Sequence, residues 1–97
     1  MENNNPLKFD ANPYHNIVLK DRKVLEITGV KQIDSFDSKE FLIETIKGWM
    51  CIQGNNLSLD MWEMEKGEVN IKGTIDSIRY LASKTSEKES FTKKLFK

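Results

Sequence analysis

The feature that most constrains this chain is a repeated ending. "VLEITGV" around Gly29, "WMCIQGN" around Gly54 and "EVNIKGT" around Gly73 each close a short apolar run with Ile-x-Gly. Each is followed within a few residues by another apolar run. A glycine between two apolar strand segments marks a bulge, a bend or a close approach of backbones. A phosphate cradle needs several glycines within about six residues, between a strand and a helix. Here each glycine stands alone with a strand pattern after it, so Gly29, Gly54 and Gly73 read as structural corners. Their spacings of 25 and 19 residues suggest related strand–corner–strand units. Such corners pass a chain between the two sheets of a small sandwich or roll. A short β-solenoid is the rival, since the spacings would suit its coils. Unequal spacing and the hairpin signals between the corners favour the sandwich or roll.

Those hairpin signals are local. Asp21-Arg22 separates "HNIVLK" from "KVLEIT", Lys47-Gly48 separates "FLIETI" from "WMCIQ", and Lys66-Gly67 precedes "EVNIKG". Glycine supplies the positive φ that a tight hairpin requires. "LSLDMW" alternates with period two, which is the strand period. Turn signals every six to ten residues give an all-β chain of seven or eight short antiparallel strands. "DSKEFLIETIKGWM" has a helical alternative, with Asp37 or Ser38 as cap. Gly48, Trp49 and the β-branched Ile43, Thr45 and Ile46 favour strand.

Three zones follow. Residues 1–13 are Asn-rich, hold both prolines and predict a disordered arm. Residues 14–81 carry the β domain. Residues 82–97, "ASKTSEKESFTKKLFK", hold five lysines against two glutamates. Phe91, Leu95 and Phe96 would form a narrow apolar stripe on a short helix capped by Ser90, with Lys94 beside it. A helix that short needs a surface to fold on. The 97 residues make one domain of marginal core size, in which homo-oligomerisation or a partner surface is expected.

Composition narrows the function classes. Fifteen basic and fifteen acidic residues cancel, against a nucleic-acid binder that relies on a global positive field. One cysteine allows no internal disulfide and suits a reducing compartment. No leader pattern opens the chain, and no apolar run approaches the roughly 20 residues of a membrane helix. A cytoplasmic protein, at most peripheral at a membrane, is expected.

No catalytic constellation emerges. His15 is the only histidine and lacks the partners of a zinc site. Cys51, between Met50 and Ile52, reads as a small buried apolar residue. Asp34, Asp37, Glu40 and Glu44 read as a solvated acidic loop, without the spacing of a calcium loop. No cofactor, metal or catalytic residue is expected. Docking is the better reading. On strict alternation Trp49 shares a face with Cys51, and Trp62 lies opposite Leu57, Leu59 and Met61. An outward Trp beside Met61 or Met64 would make a docking patch. Phe91, Lys94, Leu95 and Phe96 form the second candidate, an insertion stripe for a protein partner or a membrane surface. A small glycan-, nucleotide- or metal-binding β-barrel is the alternative, resting on the acidic cluster and the two tryptophans.

The segments "ITGVKQIDSFD", "IQGNNLSL" and "EKGEVNIKGTIDSIRYL" resemble the YabP/YqfC family of sporulation proteins, from about Ile17 to Leu81. "FTKKLFK" is similar to the YabP branch of that family. The resemblance implies a non-catalytic part in endospore formation, in the mother cell, linked to cortex and coat. It implies a protein partner, such as the sporulation membrane protein YabQ, and a place on the mother-cell side of the forespore membrane.

Overall fold

The computed structural model describes residues 14–83. The expected N-terminal arm and the Phe91–Phe96 stripe lie outside the described residues. Six strands form one antiparallel sheet: β1 (Ile17–Lys20), β2 (Val24–Ile27), β3 (Val30–Phe36), β4 (Glu40–Thr45), β5 (Gly48–Glu63) and β6 (Glu68–Leu81). Their order is β1-β2-β6-β5-β4-β3. The antiparallel ladders rule out the solenoid. "DSKEFLIETIKGWM" contains a turn and a strand, with Asp37 Oδ1 accepting the N–H groups of Lys39 (2.8 Å) and Glu40 (2.9 Å).

Two strands are twice the expected length, and this explains the strand count. β5 has 16 residues and β6 has 14, and they pair almost throughout. β4 pairs only with residues 48–53 of β5, and β2 only with residues 69–72 of β6. The β5–β6 hairpin therefore belongs to two layers. The first holds β1, β2 and the arms of the hairpin nearest its turn. The second holds β3, β4 and the arms farthest from it. Counted by layer there are eight segments, so the sequence rhythm reported the layers and not the strands. Leu25, Ile27, Val69 and Ile71 of the first layer share one core with Phe41, Ile43, Met50 and Ile52 of the second. All eight are at most 1% exposed. Residues of both layers belong to one buried cluster, so the layers cover each other in a roll. Each fully buried side chain of this size contributes about 1.5–3 kcal/mol.

The bend of the hairpin requires two of the glycines. Register slips between Gln53 and Gly54 and between Asn55 and Ser58. Gly73 has φ +133°, and a Cβ there would stand 2.6 Å from the Asn56 carbonyl oxygen. A Cβ on Gly54 would collide with the Thr74 carbonyl oxygen. Gly54 and Gly73 are thus one corner, made by both strands at the same place. Gly29 is a separate corner, between β2 and β3. The three corners of the sequence reduce to two.

The bend is also tied down from both sides. The β1–β2 turn accepts hydrogen bonds from Gly73 N–H (to Lys23, 3.1 Å) and Ile75 N–H (to Arg22, 2.9 Å). The β3–β4 turn accepts them from Gly54 N–H (to Lys39) and Leu57 N–H (to Ser38), both at 2.9 Å. Side chains bridge the same ground: Lys39 to Asn55 (2.7 Å), Asn55 to Asp76 (3.3 Å) and Arg22 to Asp76 (2.9 Å). Asp21 and Arg22, with φ of 56° and 54°, make the tight turn expected of them.

Candidate functional surfaces

The outer face of each layer is what the fold offers to other molecules. On the second layer the register lines up three rows: Glu44–Trp49–Leu81, Leu42–Cys51–Arg79 and Glu40–Gln53–Ser77. Leu42 and Cys51 point away from the core, yet they are only 2% and 1% exposed. They lie in the middle row, flanked by Trp49 and Glu40. The Cys51 thiol donates to Glu40 Oε2 at 2.9 Å. Burial, and then the Glu40 hydrogen bond and negative charge, push this thiol up to about 12 against the opposing pull of Arg79. It is a neutral thiol at physiological pH and so a poor nucleophile. The sequence reading of Cys51 as a buried apolar residue holds, although the residue sits outside the main core.

The outer face of the first layer is polar. Lys20 pairs with Glu26 at 3.2 Å and Lys72 with Asp60 at 3.4 Å. An open depression of about 330 Å³ is lined by Glu26, Ile27, Thr28, Met61, Glu68 and Asn70. Met61 is half-buried there, opposite Asn70.

The candidate Trp and Met residues are therefore dispersed. Trp49 is half-buried on the second layer's outer face. Met61 belongs to the first layer's outer face. Met64 is 70% exposed in the β5–β6 turn. Trp62 packs against the core, which corrects its sequence-based placement. A register slip between Leu59 and Met61 adds one residue at Asp60. Beyond that bulge the alternation inverts, so Trp62 joins Leu57 and Leu59 inside while Met61 turns out.

Three of the four residues of the acidic cluster are engaged within the fold, and Asp34 is exposed on β3. Asp37 shapes the β3–β4 turn, Glu40 holds Cys51, and Glu44 takes Gln32 Nε2 at 2.8 Å and Lys31 at 3.6 Å. His15 joins the two layers. With its proton on Nδ1 it donates to the Thr28 carbonyl (2.9 Å), and Nε2 accepts the Tyr80 hydroxyl (2.6 Å). Among the described residues no group of three or more His, Cys, Asp or Glu side chains gathers as a metal ion would need.

Sequence reasoning missed the margins of the sheet, along which no other described strand pairs. Val18 (45% exposed) and Leu19 (41%) on β1, and Phe36 (51%) on β3, are apolar residues at those margins. Only the strand order reveals them, and no single segment encodes it.

Two comparisons bear on this chain. The model of the YabP family matches residues 11–87, which includes every described residue. The spore protein YabP of Bacillus subtilis (strain 168) is 43% identical over 84 residues, covering 86% of this chain and 84% of that protein.

Proposed function

The chain belongs to the YabP family, and from that premise we propose that it serves endospore formation as a non-catalytic assembly module. The observation that carries the reading is the 43% identity to a spore protein along most of both chains. A role in sporulation is the coarse part of the proposal. The finer part is that the β roll presents surfaces to a protein partner, a sporulation membrane protein, at the mother-cell side of the forespore during cortex and coat formation.

The disposition of the reactive side chains supports a binding role. The one thiol is held neutral, the one imidazole joins Thr28 to Tyr80, and Asp37, Glu40 and Glu44 satisfy groups of the fold itself. Trp49, opposite Leu81 on the second layer, is the surface tryptophan of the proposal. β6 ends at Leu81, in the row that contains Trp49, and the proposal adds Phe91, Lys94, Leu95 and Phe96 of the following sequence as a second contact.

The experiment is recovery of the tagged full chain from sporulating cells after crosslinking, beside a variant with Phe91, Leu95 and Phe96 all changed to Ala. The expected result is a membrane-fraction partner, recovered during sporulation and lost in the variant. Equal partner recovery by the variant would remove the tail from the proposal. Production outside sporulation, with no partner crosslinked, would overturn the assembly reading. A thermal-shift screen with metal ions, nucleotides and peptidoglycan fragments tests the ligand-binding alternative, since a ligand of the folded state raises Tm with concentration.

A further inference from the structure

The two margins of the sheet are built differently. β3, at one margin, slips register twice against β4, between Val30 and Gln32 and between Ile33 and Ser35. The extra residues, Lys31 and Asp34, are charged and exposed. Bulges and charges are how sheet margins avoid pairing with other chains.

β1, at the other margin, has no bulge, and its one charge, Lys20, stands at its last residue and pairs with Glu26. It pairs with β2 in unbroken register from Ile17↔Ile27 to Lys20↔Val24. Ile17, Val18 and Leu19 are uncharged. Val18 and Leu19 point to opposite faces, and both are about two-fifths exposed, so neither face of the strand is overlain there. The Thr28 N–H bonds to the Asn16 carbonyl at 2.9 Å, which fixes the phase of the ladder. Antiparallel pairs alternate between bonded and non-bonded. Val18 and Lys20 therefore turn their main-chain groups toward β2. Ile17 and Leu19 turn theirs, two N–H and two C=O groups, away from the sheet.

We propose that β1 is a self-association edge, through which two copies of the chain pair antiparallel about a two-fold axis at Val18. An axis normal to the sheet keeps each side chain on its own face, so one residue must stand opposite itself. Centring on Val18 sets Ile17 opposite Leu19 of the partner subunit, with outward N–H facing outward C=O. Four main-chain hydrogen bonds then form. Lys20 meets Asn16 of the partner subunit, so no like charges oppose. Centring on Leu19 would set Ile17 against the turn residue Asp21, whose φ of 56° takes it out of the strand. The bulged, charged β3 margin cannot repeat the pairing, so the assembly closes at two copies and does not grow into a fibre. Four residues a side bury less than about 1,200 Å², the range of weak complexes. This inference extends the assembly reading but depends only on the purified chain, so loss of the sporulation partner would leave it standing.

The test is sedimentation of the full chain at concentrations up to about 1 mM, where a weak interface of this size should populate, beside Val18→Lys, Val18→Cys and Lys20→Cys. The wild type should show a concentration-dependent dimer, and Val18→Lys should weaken it at least tenfold while the circular dichroism stays unchanged. Opposed non-bonded pairs lie about 4.5 Å apart at Cα, within disulfide range. Oxidation should therefore crosslink Val18→Cys and leave Lys20→Cys and the wild type, with Cys51 buried, without a covalent crosslink. A wild type that is monomeric throughout, a dimer indifferent to Val18→Lys, or equal crosslinking of the two cysteine variants would each overturn the proposal.

Discussion

The two outer faces of the roll derive from the same alternation and have opposite characters. Behind β4 and the start of β5, outward positions hold Leu42 and Cys51, both buried, with Trp49 beside them. Behind β2 and the start of β6, outward positions hold Glu26, Asn70 and Lys72, with ion pairs to Lys20 and Asp60. One layer thus buries apolar groups on both faces, while the other buries them on one. A residue pointing away from the core of this protein is not thereby a solvent residue. Which layer it belongs to decides that.

The largest test strikes the corner that keeps the two layers apart. Gly73→Val places a branched side chain at φ +133° and against the Asn56 carbonyl. It should cost about 3 kcal/mol or more, read as a fall in Tm of well over 10 °C. An unchanged Tm would mean that the bend tolerates a side chain and that the layers are not separated by it. Next is Leu42→Ala, expected to cost about 2–3 kcal/mol by chemical denaturation, as in a core, although Leu42 points outward. A cost below about 0.5 kcal/mol would return the second layer's outer face to the solvent class.

The Cys51 thiol sharpens the same contrast through pH. Its folded value, about 12, lies above its ordinary value of 9.0. The folded state thus keeps a proton that the unfolded state releases. Its contribution is fully present below about pH 9 and is lost as pH rises from there toward 12. Cys51→Ala should flatten that alkaline decline, and the native thiol should react with a disulfide reagent at pH 8 only as fast as the protein opens. Met61→Ala, on the polar layer, should cost under about 1 kcal/mol, less than Leu42→Ala. Smallest is Glu26→Gln, which removes an exposed ion pair with Lys20 and should change stability by about 0.5 kcal/mol or less, vanishing at high salt.

Local chemistry was legible in the sequence. The turns at Asp21-Arg22, Lys47-Gly48 and Lys66-Gly67, the strand nature of "FLIETI" and the structural role of the glycines all follow from dihedral preference and period. Three things did not follow. Gly54 and Gly73 form one corner because β5 and β6 run side by side, a pairing that neither segment states alone. Trp62 faces inward because one bulge at Asp60 inverts the count, and a bulge at a non-glycine residue leaves no mark in composition. Which described strands form the margins depends on the strand order, which is a property of the whole sheet. For the candidate site, residue types were legible and their grouping was not. The sequence allows an outward Trp beside Met61 or Met64, whereas Trp49, Met61, Trp62 and Met64 stand in four different settings.

The strand order also carries a statement about time. β3, β4, β5 and β6 form a simple meander, and β1 with β2 forms a hairpin, so all but one of the ladders join neighbours in the chain. The exception is β2 with β6, which joins residues 24–27 to residues 69–72. Loop closure makes that contact the slowest to find. The β1–β2 hairpin is then expected to dock last and to leave first. Truncation of Leu25 or Ile27 should accordingly speed unfolding while leaving the folding rate nearly unchanged, whereas truncation of Ile52 in the meander should slow folding.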